Sequence, residues 1–261
     1  MFYNYKNCPS EVKEELQSII DLCKEELSEN LIGVYLHGSL AMECFNPERS
    51  DLDIIAVTKD KICPELKIKI IKHLMKISGV VSPIEISFII QNDIIEDTFP
   101  IKYDLHYSEY WRKIYDKKIL QINDDIWKGE SLRDMDLSAH IRIINERGIT
   151  LLGKNKALVF PNISNNNYLK SIIYDFEDAD DGFIKKPEYY ILNACRILAF
   201  VEKETVMSKK EAGEWGIEML PHKYKYLLKI ALNIYTGKII GAKFRNASVR
   251  KILAYISNKI M

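Results

Sequence analysis

Apolar residues Val12, Leu16, Ile19, Ile20, Cys23 and Leu27 recur at spacings of three and four, which predicts an amphipathic helix following Pro9 and Ser10. The period then changes. Residues 31–36, Leu-Ile-Gly-Val-Tyr-Leu, form a short run rich in strand formers that stops at Gly38 and Ser39, predicting a strand that enters a tight turn. Residues 51–57 make a second strand candidate. A helical stretch through Leu66, Ile70, Ile71, Leu74, Met75 and Ile77 follows, and residues 84–90, closed by Gln91, Asn92 and Asp93, make a third strand. The first hundred residues thus run helix, strand, strand, helix, strand.

Residues 136–147 and 168–174 read as helical, with Gly148 and Gly153 punctuating the interval between them. The Pro- and Asn-rich stretch 159–167 is the best linker in the chain. Beyond it no strand pair is evident, and residues 189–203, 208–220, 224–235 and 247–259 all carry helical patterns. The chain therefore divides into an α/β-patterned domain over residues 1–160 and an all-helical domain over residues 161–261.

Composition narrows the function classes. The chain has 261 residues with 37 basic and 37 acidic side chains, so no overall field draws it to nucleic acid or membrane, and any polyanion site must be a local cluster. With 47% hydrophobic and 28% charged residues it is expected to be a folded globular protein rather than a disordered tail or a fibre. Its apolar runs are short for a membrane span and residues 1–10 lack a signal-peptide core, so a cytoplasmic location is expected. Cys8, Cys23, Cys44, Cys63 and Cys195 form no CxxC pair, which points to reduced thiols and to neither a disulfide framework nor a zinc site.

Candidate chemistry begins at Ser50-Asp51-Leu52-Asp53. On a strand, a period of two places Asp51 and Asp53 on one face and Leu52 and Ile54 on the other. Carboxylates aimed together repel unless a cation lies between them, and a divalent metal that also bridges phosphate oxygens resolves the conflict. Taken alone, Asp-x-Asp is more often a solvated strand or turn. Two neighbours change the balance. Gly38 and Ser39 end the preceding strand, where a glycine lets backbone approach an anion and a hydroxyl can hold a phosphate oxygen. Glu85 interrupts the third strand on the face opposite Ile84, Ile86 and Phe88, adding a third carboxylate to the same kind of surface.

Gly38-Ser39, eleven intervening residues, Asp51-x-Asp53 and a later strand-borne Glu85 resemble the signature of the nucleotidyltransferase superfamily. More closely, Val34-Tyr-Leu-His-Gly-Ser39, Ser50-Asp-Leu-Asp53, Ile84-Glu-Ile86 and Phe99-Pro-Ile-Lys102 resemble the aminoglycoside adenylyltransferases that modify streptomycin and spectinomycin. The resemblance implies an α+β fold: a nucleotidyltransferase domain with a mixed β-sheet flanked by helices, followed by a helical bundle. It implies transfer of AMP from ATP to an antibiotic hydroxyl with release of pyrophosphate, and hence antibiotic resistance. Asp51 and Asp53 would hold two magnesium ions with Glu85 beside them, Ser39 and Ser50 would touch phosphate oxygens, and Glu85 would deprotonate the acceptor.

A triphosphate also needs cations. Ser208-Lys-Lys-Glu211 has capping-box spacing, so Lys209 and Lys210 fall in a first helical turn, where they oppose the helix dipole unless an anion faces them. Arg196 lies in the largely apolar run Ala194–Phe200 and needs an anionic partner, either an intramolecular carboxylate or a phosphate. Residues Leu192–Ile197, Ser208-Lys209, Glu214-Trp215, Leu220-Pro221 and Ala231–Tyr235 resemble the family's C-terminal domain in order and spacing. The resemblance implies that Arg196 and Lys209 contact the phosphates and Tyr235 the nucleotide, with ATP held between two domains.

A cationic drug calls for an acidic pocket. Asp175, Glu177, Asp178, Asp180 and Asp181 lie within seven residues, either as such a pocket or as a solvated loop. Family members that accept streptomycin carry a tryptophan and following aspartates there, whereas this chain has Lys185-Lys-Pro-Glu-Tyr-Tyr190 and no tryptophan between Lys128 and Trp215. Spectinomycin is therefore the expected acceptor over streptomycin, with another hydroxyl acceptor or a non-catalytic nucleotide-binding role as alternatives. Tyr110 occupies the family position for an aromatic near the drug. His37 and His106 read as packing residues, and His73, His140 and His222 have no partner at ligand spacing. A monomer acting on small molecules, without nucleic acid or membrane partners, is expected.

Overall fold

A chain that alternates period-3.6 and period-2 patterns must lay amphipathic helices on a sheet, and the computed structural model does this. It describes residues 2–121, 124–128, 132–177, 182–240 and 243–260. Contacts divide the chain into two units, Met1–Ile163 and Ser164–Met261, three residues beyond the boundary expected from the linker.

The first unit opens with α1 (Ser10–Leu27), entered from Pro9, with Glu11 in its first turn and Lys24 in its last, both matching the helix dipole. Then follow β1 (Leu31–Leu36), the single turn α2 (Gly38–Ala41), β2 (Leu52–Thr58), α3 (Pro64–Ile77), β3 (Ile84–Ile90), the two-residue β4 (Ile101–Lys102), β5 (Leu105–Tyr107), α4 (Glu109–Lys118), α5 (Asp125–Lys128), β6 (Arg133–Asp134), α6 (Leu137–Arg147) and β7 (Ile149–Gly153). Pro64 starts α3 at a position where its missing N–H costs nothing.

The main sheet has the order β5-β3-β2-β1-β7. β2 and β3 are parallel and joined through α3, while every other pair is antiparallel. The sheet is thus mixed, as the resemblance implied. β4 and β6 form a separate two-stranded ladder. One face of the sheet, carrying Val34, Leu36, Leu52, Ile54, Ala56, Ile84, Ile86 and Phe88, packs with the apolar stripes of α1 and α3 into one core. The edge strand β7 was legible only as glycine punctuation, because its first four residues are all half-buried, Gly153 is exposed, and no alternation results.

A buried ion pair and a buried carboxyl brace this unit. Lys67 of α3 is fully buried, its Nζ donating to Asp104 Oδ1 at 2.6 Å, while Asp104 Oδ2 accepts the Ile62 amide at 2.7 Å. Glu15 of α1 accepts the Ser82 amide at 3.0 Å in the loop before β3, and burial pushes its carboxyl up from 4.5 to about 7.

The second unit contains α7 (Asn165–Glu177), α8 (Gly182–Lys185), α9 (Pro187–Lys203), α10 (Lys209–Met219), α11 (His222–Tyr235) and α12 (Asn246–Ile260). Its core joins Leu192, Cys195 and Leu198 of α9 to Ala212 of α10, Leu228 and Ala231 of α11 and Ile252 and Ile256 of α12. Among the described residues this unit holds no strand, and no described helix is long and apolar enough to cross a membrane.

Candidate active site

The site is built where β1 turns back beside β2. The His37 amide donates to the Asp53 carbonyl at 2.9 Å, which carries the pairing of the two strands one step past Leu36. The next residue, Gly38, has φ +61°, and a Cβ there would lie 1.7 Å from Asp53 Oδ2. A glycine is needed for both reasons, and its absent side chain lets the Asp53 carboxylate lie directly on the turn. Ser39 follows, its Oγ buried and without a hydrogen-bond partner.

Asp53 is partly buried, whereas Asp51 is exposed and lies just before β2 begins. Ser50 closes the turn leading into them: its Oγ accepts the Asn46 amide at 3.0 Å and its own amide donates to the Asn46 carbonyl at 2.8 Å. That bond leaves the Ser50 hydroxyl proton available to an external acceptor.

Across the parallel ladder, Asp53 is the register partner of Glu85. In a parallel pair, register partners project to the same side of the sheet, so the two carboxyls share a face. Burial first, and then the charges of Asp53, Asp51, Asp134 and Asp136, hold the Glu85 carboxyl well above its ordinary range. Asp134 and Asp136 had no signal in the sequence. Asp134 pairs with Ile101 across the small ladder and its Oδ1 accepts the Asp136 amide at 2.7 Å, so only the chain path between β4 and α6 makes them part of Glu85's environment.

The histidines also regroup. The His37 and His140 rings lie 4.6 Å apart at 33°, so His140, which has no partner at ligand spacing in sequence, acquires one through the approach of α6 to the Gly38 turn. Burial, and then His140, hold His37 well below its usual value. His106 accepts from or donates to Ser87 Oγ at 2.9 Å through Nδ1, and burial depresses it to about 4. Burial thus disfavours the charged form of both rings.

The all-oxygen donor set of Asp53 and its register partner Glu85 suits a hard divalent cation, which would relieve the repulsion that, after burial, raises the Glu85 carboxyl. Among the described residues, no three His, Cys, Asp or Glu side chains converge closely enough to hold a metal unaided.

In the second unit, Ser208 caps α10 with the expected capping box: its Oγ accepts the Glu211 amide at 3.1 Å and its amide donates to Glu211 Oε2 at 2.8 Å. Lys209 places its Nζ 4.6 Å from the centre of the Tyr189 ring, a cation–π contact that positions the ammonium at the helix start. Arg196 is half-buried on α9 between the buried Cys195 and Ile197. Tyr235 ends α11, partly buried against the bundle core.

Of the residues expected near the acceptor, Tyr110 is 80% exposed near the start of α4, its ring edge-on to Trp111 at 6.3 Å. Asp175 falls on α7, and Asp178 lies outside the described residues.

Residues 158–259 match the family model described as aminoglycoside adenylyltransferase, C-terminal domain. The chain is 26% identical to a spectinomycin 9-adenylyltransferase of Campylobacter jejuni, over 88% of each chain, and 24% identical to one of Staphylococcus aureus, over 92% of each. An aminoglycoside (3'') (9) adenylyltransferase of Shigella flexneri is 19% identical over 96% of this chain and 95% of its own. The fold is that of the spectinomycin adenyltransferase AAD(9) from Enterococcus faecialis, solved with ATP and spectinomycin, at a TM-score of 0.79, 20% identity and coverage of 95% and 98%. On these grounds the chain is similar to the aminoglycoside adenylyltransferases: residues 158–259 match that family's C-terminal domain, and relatives bearing the name align along most of the chain.

Proposed function

We propose that this protein transfers AMP from ATP to a hydroxyl of spectinomycin and releases pyrophosphate, which would make it a resistance enzyme. The observation that carries this is the registration of Asp53 beside Glu85 on adjacent parallel strands, directly under the Gly38 turn. Relatives named as spectinomycin 9-adenylyltransferases, matched along nearly their whole length, support the choice of acceptor. The chain's lack of a tryptophan between Lys128 and Trp215 favours spectinomycin over streptomycin.

Each residue has a part in the in-line transfer. Asp51 and Asp53, with Glu85 beside them, would hold magnesium, in a set of two ions, which offsets charge on the attacking and leaving oxygens when bound. Ser39, whose buried hydroxyl lacks a partner, donates to a phosphate oxygen, as does Ser50 through its remaining proton. Glu85 accepts the proton of the acceptor hydroxyl. Arg196 and Lys209 contact the phosphates, Tyr235 the nucleotide, and Tyr110, Asp175 and Asp178 the drug. The partners are then ATP and the antibiotic, and no second copy of the chain is needed.

The deciding experiment is pyrophosphate release with ATP and magnesium against spectinomycin, streptomycin, lincomycin and kanamycin. Turnover with spectinomycin alone is expected. Turnover only with lincomycin or kanamycin would replace the acceptor, and turnover with none would reject the assignment.

A further inference from the structure

The balanced net charge hides a segregation. From Pro221 to the end the sequence holds nine Lys and Arg and neither Asp nor Glu, in a chain that balances at 37 and 37. Part of that charge converges on a cavity of about 690 Å³ between α11 and the start of α12. Lys223, Lys243, Arg245 and Lys251 line it, together with the aromatic rings of Tyr226 and Phe244. Among the described residues no carboxylate forms an ion pair with any of the four cations.

The walls are held in place. The buried Tyr224 of α11 donates its hydroxyl to the Lys251 carbonyl of α12 at 3.4 Å, and Lys223 places its Nζ 4.9 Å from the Tyr224 ring centre and 5.9 Å from that of Tyr255. Phe244 is packed against the bundle core, while Tyr226 is 76% exposed. Leu228, Ala231 and Tyr235 of α11 belong to the face packed on that core, whereas Lys223, Tyr226 and Ile230 face the groove. The groove is therefore separate from the Tyr235 position assigned to the nucleotide.

Four like charges around one cavity repel unless an anion joins them, and the exposed Tyr226 ring, with the partly buried Phe244, beside those cations suits a flat base carrying phosphates. The volume matches a single small ligand. We propose that this groove is a second anion site, which binds a free nucleoside polyphosphate with its phosphates among Lys223, Lys243, Arg245 and Lys251 and its base against Tyr226 or Phe244.

Titration of the full chain with ATP and magnesium at low salt should find two sites in the native protein. Lys223→Glu/Lys251→Glu should weaken one of them at least about tenfold while leaving spectinomycin-dependent pyrophosphate release and the melting temperature unchanged. Photolabelling with 8-azido-ATP should mark peptides from residues 222–235 or 243–251 in the native chain and not in the variant. A native chain with one ATP site, unaffected by the double substitution, would overturn the inference and leave the proposed reaction standing. Loss of the only ATP site in the double variant, with Asp53→Asn silent, would support the groove and count against the proposed reaction. Binding of a short single-stranded RNA at this groove in preference to ATP would reject the free nucleotide as its ligand.

Discussion

Asp53 and Glu85 hold the same register position on adjacent parallel strands, so two carboxyls separated by 31 intervening residues stand side by side on one face of the sheet. Glu85→Gln keeps the shape of that pair and removes the proton acceptor. It should retain ATP affinity and lose about 10²–10⁴-fold in turnover, measured as kcat for pyrophosphate release. Asp53→Asn instead should weaken magnesium-dependent ATP binding by about 10–100-fold, measured by titration at several metal concentrations. Full activity in Glu85→Gln would remove it from the role of base.

Gly38→Ala is expected to damage the site more than the fold. A Cβ at φ +61° is strained, and its first collision is with the Asp53 carboxylate at 1.7 Å. Strain should cost about 1–2 kcal/mol in urea unfolding, while displacement of Asp53 lowers kcat/KM at least about tenfold.

Glu15 makes stability depend on pH. Its carboxyl is raised from 4.5 to about 7, so the fold prefers the neutral form. The preference is satisfied below about pH 4.5, is lost progressively as pH rises towards 7, and leaves a constant penalty above that. Glu15→Gln keeps an acceptor for the Ser82 amide without the charge. It should therefore raise stability by about 1–3 kcal/mol at pH 8 and by nothing at pH 4, measured as melting temperature across that range.

Lys67→Met leaves Asp104 as a buried carboxylate that still accepts the Ile62 amide but has lost its cation. Such a charge costs about 3–5 kcal/mol. Adding Asp104→Asn should recover a large part of that loss in urea unfolding, because the remaining group is neutral and still hydrogen-bonded.

How much was legible in the chain depended on range. Period and punctuation placed α1, β1, β2, α3, β3, α6 and the helices of the second unit other than the one-turn α8 within a few residues, because an amphipathic stripe must face its core whatever that core is. They missed β7, whose first four residues are all half-buried, and the two-residue β4 and β6, which are too short to show a period. Gly38, Asp51, Asp53 and Glu85 were legible because each breaks a local pattern. Asp134, Asp136 and His140 break none and were missed.

By itself, then, the sequence singled out the Gly38 turn and the strand carboxylates as the candidate site, since a glycine at a strand end and acids in apolar strands are local departures with a local cause. Only the tertiary structure decided which groups face them. Strand register sets Asp53 beside Glu85, the path from β4 to α6 brings in Asp134 and Asp136, and the approach of α6 to the turn brings the His140 ring to 4.6 Å from that of His37. Register and chain path are properties of the whole packed unit, and no window of sequence contains them.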